Sequence, residues 1–112
     1  MRAETLKGHL DGMLLASLEP GSRHGYAIME ALRAGSAGQL DLPTGTIYPA
    51  LHRLERAGLV QATWSQAGGR RRRLYQLTPA GRRTLAAERG TWRESSATVT
   101  RLLEPAPHPA TP

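Results

Sequence analysis

The stretch Thr44–Val60, TGTIYPALHRLERAGLV, decides how the rest of the chain is interpreted. Apolar residues recur in it at helical spacing, and polar residues fill the opposite side. The apolar set is Ile47, Ala50, Leu51 and Leu54, and the polar set is Tyr48, His52, Arg53 and Arg56. A solvated surface helix has this pattern, and so does a helix that packs one face into a small core and presents the other to DNA. The neighbouring segments decide between the two.

The sequence does not decide at which residue this helix begins. If Thr46 is the N-cap, Pro49 falls at the third helical position, where no intrahelical hydrogen bond is lost. If Thr44 is the N-cap, Pro49 lies deeper in the helix and disturbs its start. Ala57 and Gly58 are predicted to end it.

Two helical patterns precede this stretch. The first runs from about Thr5 to Leu18 and is amphipathic, and residues 19–21 end it. The second begins at HGYAIMEALRA, and Gly35 offers a stop. We expect one face of the second helix to consist of Tyr26, Ala27, Ile28, Ala31 and Leu32.

A β-hairpin is predicted directly after the central helix, because the apolar spacing changes from 3.6 to 2. Val60, Ala62 and Trp64 alternate with polar residues, residues 66–69 form a turn, and the alternation resumes through Tyr75 and Leu77. So small a hairpin must pack on the helices, and we expect Trp64 to be buried beneath it. Three helices followed by a hairpin predict a winged helix-turn-helix.

A last helix follows, with Thr78 as N-cap and Pro79 at the favoured first position. Three residues recur in it every seven positions and a fourth follows at i+3, which is the spacing of a dimer seam. These residues are Leu85, Trp92, Val99 and Leu102. Glu88 and Ser95 occupy the other seam positions, so a strong coiled coil is not predicted. Trp92 is expected to anchor this seam or to line a pocket for a flat hydrophobic ligand, and the two roles are compatible.

The positive charge is concentrated in the centre of the 112-residue chain, whose length suits one domain. The whole chain carries 15 Lys and Arg against nine acids, a net charge of +6. Residues 43–83 contain eight arginines and the single acid Glu55, a net charge of +7, so the remaining segments together carry −1. A basic segment in an otherwise nearly neutral chain favours a surface that binds a polyanion.

Several classes of protein are excluded by composition. The chain has no Cys, so disulfides and thiolate chemistry are excluded. Its longest early apolar run, Met13–Leu18, is far shorter than the roughly 18 residues of a membrane span, and we expect a cytoplasmic protein without membrane contact. The four His residues lack metal-ligand spacing and no catalytic set is present, so we predict no metal site, no cofactor and no enzymatic activity.

Three motifs in this order resemble the PadR family of transcriptional regulators: HGYAIMEAL, GTIYPALHRLERAGLV and RRRRLYQLTPAGRRTL. The likeness extends from about Leu6 to Leu85, and the single helix after the hairpin resembles the family's short subgroup. It implies a mainly α fold with a small β-hairpin, that is, a winged helix-turn-helix plus a C-terminal dimerisation helix.

The resemblance and the residue patterns together predict a DNA-binding surface in three parts. The recognition helix contributes Thr44, Thr46, Tyr48, His52, Arg53 and Arg56. The wing contributes Gly69, Arg70, Arg71, Arg72 and Arg73, and the start of the second helix contributes His24 and Tyr26. Arg is suited to guanine edges and to phosphates.

The expected organisation is a DNA-binding domain at residues 1–78, a dimerisation helix at 79–104 and a disordered tail at 105–112. The resemblance implies a homodimeric repressor on an inverted-repeat operator in double-stranded DNA, and family effectors are small aromatic or hydrophobic molecules. From the residue pattern we expect such a ligand to bind near Trp92 and release the DNA. The alternative is a winged helix used only for protein contacts, in which the basic wing is dispensable.

Overall fold

The computed structural model describes residues 8–107, and within them four helices surround a small antiparallel sheet. The predicted fold class, mainly α with a winged helix-turn-helix and a long last helix, is confirmed. The predicted helix start at Thr5 and the tail beyond residue 107 lie outside the described residues. In chain order the elements are α1 (Leu10–Ser17), β1 (Arg23–His24), α2 (Gly25–Gly35), α3 (Thr44–Arg56), β2 (Val60–Ser65), a 3-10 turn (Ala67–Gly69), β3 (Arg72–Leu77) and α4 (Pro79–Leu103).

The core lies between α1, α2, α3 and the sheet, and the apolar face of α3 is wholly within it. All four apolar residues of that face are at most 4% exposed. Each Leu or Ile buried in this way contributes about 1.5–3 kcal/mol of hydrophobic free energy. The least exposed large side chains are Leu14, Leu15, Leu18, Ile28, Ile47, Leu51 and Leu54.

The start of α3 differs from both alternatives considered for it. Pro43, with φ −74° and ψ 160°, is the N-cap, and its carbonyl oxygen accepts two first-turn amides at 3.0 and 3.1 Å. Thr44 is therefore the first helical residue, and Thr46 does not cap the helix. Pro49 lies inside α3 and has no amide hydrogen to donate to the Gly45 carbonyl. The burial of the apolar face offsets the absence of this hydrogen bond.

The end of α3 is as predicted, at Ala57 and Gly58. Gly58 has φ 77°, and its amide donates to the Glu55 carbonyl at 3.0 Å. The Leu59 amide donates to the Leu54 carbonyl at 3.0 Å, which completes a Schellman motif. This turn sends the chain directly from α3 into β2.

The sheet has three strands, with β3 in the centre and β1 and β2 antiparallel on either side. The predicted hairpin is present in a register that runs from Val60 opposite Leu77 to Ser65 opposite Arg72. Val60 and Leu77, which form the first of these pairs, are buried in the core, and so is Tyr75. The two-residue β1 was not predicted, because so short a strand leaves no periodic pattern in the sequence.

The predicted apolar face of α2 is wrong in one residue. Tyr26 is 66% exposed, whereas Ile28 is fully buried. Residues two apart on a helix point in nearly opposite directions, so these two cannot share a face. Tyr26 therefore belongs to the surface, and the face packed on the core is centred on Ile28.

The first turns of α4 belong to the core. Thr78 caps the helix as predicted, since its hydroxyl oxygen accepts the Gly81 amide at 3.0 Å, and Pro79 is the first helical residue. Gly81 is buried so closely that a methyl group there would overlap the Leu59 carbonyl oxygen. Leu85 is 3% exposed within the same chain. Its predicted place in a dimer seam is wrong, because the core already covers it.

The second half of α4 leaves the core. From Thr91 to Leu103 every residue except Ser96 is exposed. Within the described part of the chain, no helix is long and apolar enough to cross a membrane.

Gly81→Ala is expected to lower the free energy of unfolding by about 1–3 kcal/mol, because the added methyl group must displace the Leu59 carbonyl or the helix. Gly90→Ala is the matched control, since Gly90 lies in the same helix and a Cβ atom added there would meet nothing within 4 Å. It should instead stabilise the chain by about 0.5–1 kcal/mol through helix propensity. Urea denaturation of both variants measures the difference, and equal effects would show that α4 is not held at Gly81.

Candidate nucleic-acid interface

The outward face of α3 carries the residues predicted for the recognition helix. Tyr48 is 42% exposed, Thr46 is half-buried, and the other four predicted residues are exposed. Those four are Thr44, His52, Arg53 and Arg56. One helix thus separates an apolar face in the core from a polar face of hydroxyls, an imidazole and two guanidinium groups.

The start of α2 lies against this face. A Cβ atom at Gly25 would lie 2.5 Å from the Tyr48 hydroxyl oxygen, so the tyrosine ring occupies the space that any larger residue would need. The backbone of α2 at Gly25, directly before Tyr26, therefore lies against α3. The side chains of the two tyrosines are both available at the surface.

The wing is the β2–β3 hairpin, and its tip is formed by two glycines in the left-handed region. Gly68 has φ 70° and Gly69 has φ 74°, and Arg70 continues in extended backbone. Arg70, Arg71 and Arg72 are exposed. The tip therefore projects three of the four predicted wing arginines into solvent.

Trp64 is on the surface of the wing, so the prediction that it is buried beneath the hairpin is wrong. It is 55% exposed, and it lies opposite Arg73 in the strand register. The guanidinium carbons of Arg71 and Arg73 lie 4.3 and 5.3 Å from the centre of its ring. Cation–π contacts with these two arginines, and not burial, hold the Trp64 ring, because this part of the hairpin lies beyond the core.

Arg73 braces the wing against α3. Its Nη2 donates to Glu55 Oε2 at 2.6 Å, and the two side chains are 35% and 29% exposed. Its Nε is buried and has no hydrogen-bond partner among the described residues. Burial raises the pKa of the neighbouring Tyr75, and Arg73 acts in the opposite direction. Arg73, predicted as a DNA contact, is therefore already bound within the protein.

His24 is likewise held by the wing. Its Nδ1 lies 3.1 Å from the Arg73 carbonyl oxygen, which accepts the hydrogen bond, and its backbone pairs with Leu74. The imidazole is half-buried. The predicted DNA residue His24 thus links α2 to the wing, and Tyr26 is the more accessible of the two.

Arg53 also has a partner within the protein. Its Nη1 donates to Asp11 Oδ2 of α1 at 2.7 Å, and the side chains are 57% and 42% exposed. This hydrogen bond raises the pKa of Arg53, and the charge of Asp11 adds to the effect. Among the described residues, the predicted arginine contacts that form no ion pair are Arg56, Arg70, Arg71 and Arg72.

The basic segment does not lie wholly on this surface. The pKa of Glu19 is lowered by a hydrogen bond from Arg89 and, more weakly, by the charges of Arg89 and Arg82. Arg82 belongs to α4, not to α3 or the wing, and its charge acts on Glu19 just after the end of α1. The local charge of +7 overstates what the interface itself presents.

A second candidate site is a groove of about 340 Å³ between α1 and α4. The rings of His9 and Trp92 meet edge to face at its rim, with centroids 5.0 Å apart. Its walls are mostly apolar, and they are formed by His9, Gly12, Met13, Ala16, Leu85, Glu88, Arg89 and Trp92. Trp92 is thus one of the residues that line this groove. The part of the chain described by the structure contains no group of residues arranged to hold a metal ion.

An exposed apolar stripe, defined by Trp92, Val99, Leu102 and Leu103, continues from the groove along α4. Trp92 and Val99 are 55% and 51% exposed, and the two leucines are 80% and 79% exposed. Residues 8–107 thus leave more than half of each of these side chains uncovered. The predicted seam residues beyond Leu85 thus stay available to a partner.

Two residues that shape the interface, Asp11 and Glu55, were not predicted. The sequence held a signal for Glu55, since it is the one acid between residues 43 and 83 and eight arginines in that segment could pair with it. Asp11 had none, because its partner is 42 residues away and only the packing of α1 on α3 brings them together.

Comparison with known proteins places this arrangement in a family. The model of the transcriptional regulator PadR-like family matches residues 14–87. Transcriptional regulator Rv3488 of Mycobacterium tuberculosis is 41% identical over 68 residues, which is 61% of this chain and 50% of that protein. The chain thus spans about half the length of this relative.

Solved structures of similar length have the same fold. A PadR-like transcriptional regulator from Bacillus cereus is 28% identical, with a TM-score of 0.81 over 93% of this chain and 100% of that one. A transcriptional regulator from Clostridium thermocellum, 22% identical, has a TM-score of 0.85 over 93% of this chain and 99% of its own. The long last helix is part of what these structures share with the chain.

Glu55→Gln is expected to lower the free energy of unfolding by about 1 kcal/mol, because it leaves the half-buried Arg73 guanidinium without its counter-charge. Hydrogen exchange should speed up in β2 and β3 more than in α1. Glu30→Gln is the control, since it breaks an exposed pair within α2 and should cost no more than about 0.5 kcal/mol. The brace is refuted if the wing amides exchange equally in both variants.

Proposed function

Because the chain belongs to the PadR-like family of transcriptional regulators, we propose that it represses transcription by binding an inverted-repeat operator as a homodimer. We further propose that a small aromatic or hydrophobic ligand releases it. The family consists of transcriptional regulators and not of enzymes. A regulator of this kind acts on chromosomal DNA, so we assign it to the cytoplasm.

The observation that carries the proposal is the pairing of the outward face of α3 with the arginine wing. A helix of this kind fits the major groove of B-DNA, where Arg binds guanine edges. The tip arginines extend beside it, at a position suited to phosphates or the adjacent minor groove. The Glu55–Arg73 brace supports this role, because it fixes the angle between the two parts.

The apolar stripe on α4 supports the homodimer. A single recognition helix reads only a few base pairs, and a twofold dimer brings two of them to half-sites about one DNA turn apart. Trp92, Val99, Leu102 and Leu103 are large apolar side chains that a monomer leaves in water. Packing against a second α4 would remove them from it.

The groove between α1 and α4 supports a hydrophobic ligand. Its volume of about 340 Å³ is at the small end of the range for ligand pockets, so it suits one small planar molecule. Trp92 belongs both to this groove and to the stripe. A ligand there would shift the arrangement of the two recognition helices if it bound one arrangement more tightly than the other.

The wing is tested by replacing Arg70 and Arg72 together with Ala. Binding to DNA from upstream of the gene and to a random-sequence duplex should weaken to a similar degree, because phosphate contacts carry no sequence information. The slope of log K against log salt should fall by about 0.9 for each phosphate that the variant no longer neutralises. Mobility-shift titrations across a range of salt concentrations measure both quantities.

The matched control replaces Arg93 and Arg101, two exposed arginines of α4, with Ala. It removes the same charge far from the wing and should leave the slope close to that of the wild type. A wing variant with an unchanged slope would contradict the phosphate assignment and favour a winged helix used only for protein contacts.

The dimer is tested with Leu102→Glu combined with Leu103→Glu. Two carboxylates in an apolar seam should convert the dimer to a monomer, as measured by sedimentation velocity, and weaken operator binding at least about tenfold. Ala97→Glu lies on the opposite side of α4 and is the control, with no expected change. A double variant that still sediments as a dimer would show that the stripe is not the seam.

A further inference from the structure

The ion pair between Arg53 and Asp11 joins the recognition helix to α1. We propose that Asp11 acts as an intramolecular competitor of DNA. In the unliganded protein Asp11 binds Arg53 and so lowers the affinity of the protein for DNA, and the duplex displaces Asp11 from Arg53 when it binds. This inference rests on the proposed function, since it concerns regulation of the same surface.

The geometry of the pair suits exchange with a phosphate. Arg53 Nη1 donates one hydrogen bond to Asp11 Oδ2 at 2.7 Å, a distance at which a guanidinium also binds a phosphate oxygen. With the side chains 57% and 42% exposed, an incoming DNA strand can reach the guanidinium without opening the core. The carboxylate thus occupies Arg53 with the same chemistry that DNA would offer.

The other ion pairs that link separate elements are built differently. Arg89 binds Glu19 through two hydrogen bonds of 2.7 Å, a bidentate arrangement that fixes α4 to the end of α1. Arg73 and Glu55 are less exposed, and they hold the wing. The Arg53–Asp11 pair is both exposed and single-bonded, and it alone of these three involves a side chain on the outward face of α3.

The position of Asp11 on α1 connects the pair to the groove. The next residues, Gly12 and Met13, line the groove on the side of α1 that faces α4. A Cβ atom at Gly12 would lie 3.6 Å from Glu88 Cβ, so the backbone of α1 runs close to α4 at this point. A shift of α1 against α4 would therefore move Asp11 relative to Arg53 and change how strongly the arginine is held.

The test is a double-mutant cycle in full-length protein, with a fluorescent random-sequence duplex as the probe and anisotropy as the readout. Asp11→Asn should bind the duplex about two- to fivefold more tightly than wild type, since an exposed ion pair is worth up to about 1 kcal/mol. In the Arg53→Ala background the same substitution should give less than half of that gain on a logarithmic scale. The difference isolates the pair from the general effect of removing an acid.

Glu19→Gln is the matched control, because it also removes one exposed acid bound to an arginine but leaves α3 untouched. It should change affinity by no more than Asp11→Asn does in the Arg53→Ala background. Thermal unfolding checks that each variant is folded, and Asp11→Ser provides a second neutral replacement with the same expectation.

Each outcome is decisive. Tighter binding by Asp11→Asn that depends on Arg53 supports the competitor role. Weaker or unchanged binding, or an equal gain with and without Arg53, overturns it while the proposed function stands. A wild-type protein that binds neither this duplex nor the DNA upstream of its gene overturns the proposed function and this inference together.

Discussion

The burial of one face of α3 is the constraint on which the rest of the structure depends. Ile47, Ala50, Leu51 and Leu54 are removed from water by α1, α2 and the sheet, so the helix cannot rotate about its axis without exposing them. Its opposite face is thereby fixed toward solvent. The same packing tolerates Pro49 inside the helix, because the loss of one hydrogen bond is small beside the burial of four side chains. The orientation of the polar face is thus a property of the core.

Two acidic residues, Glu55 and Asp11, hold arginines of the cationic surface in place. Glu55 holds Arg73 and so fixes the wing to α3, whereas Asp11 holds Arg53 from a different helix. Trp64 keeps Arg71 and Arg73 together despite their like charge, since the ring attracts both. The arginines of one basic segment therefore divide into those that build the surface and those that it leaves exposed. A net charge alone does not distinguish them.

The sequence was most informative where periodicity was strong. The apolar face of α3, its end at Gly58, the β2–β3 hairpin and the cap at Thr78 all follow from local patterns, and the structure contains each of them. Residue contacts across helices were not predictable in this way. The alternation of β2 predicts Trp64 in the core. The end of the hairpin that carries Trp64 extends beyond the helices, however, so none of the described helices covers the ring. Leu85 continues a heptad spacing, yet the first turns of α4 pack inward, so one spacing spans two different environments.

The close contact between Gly81 and the Leu59 carbonyl couples the orientation of α4 to that of α3 and the wing. Leu59 lies between α3 and β2, so the first turn of α4 packs against the connection between α3 and the wing. The helix has 25 residues and is therefore about 37 Å long. Tilting it by about 5° would move its far end by about 3 Å, and the close contact at Gly81 would transmit part of that tilt to the connection between α3 and β2. A small residue such as Gly81 at this contact would then set the stiffness with which the angle between α3 and α4 is held.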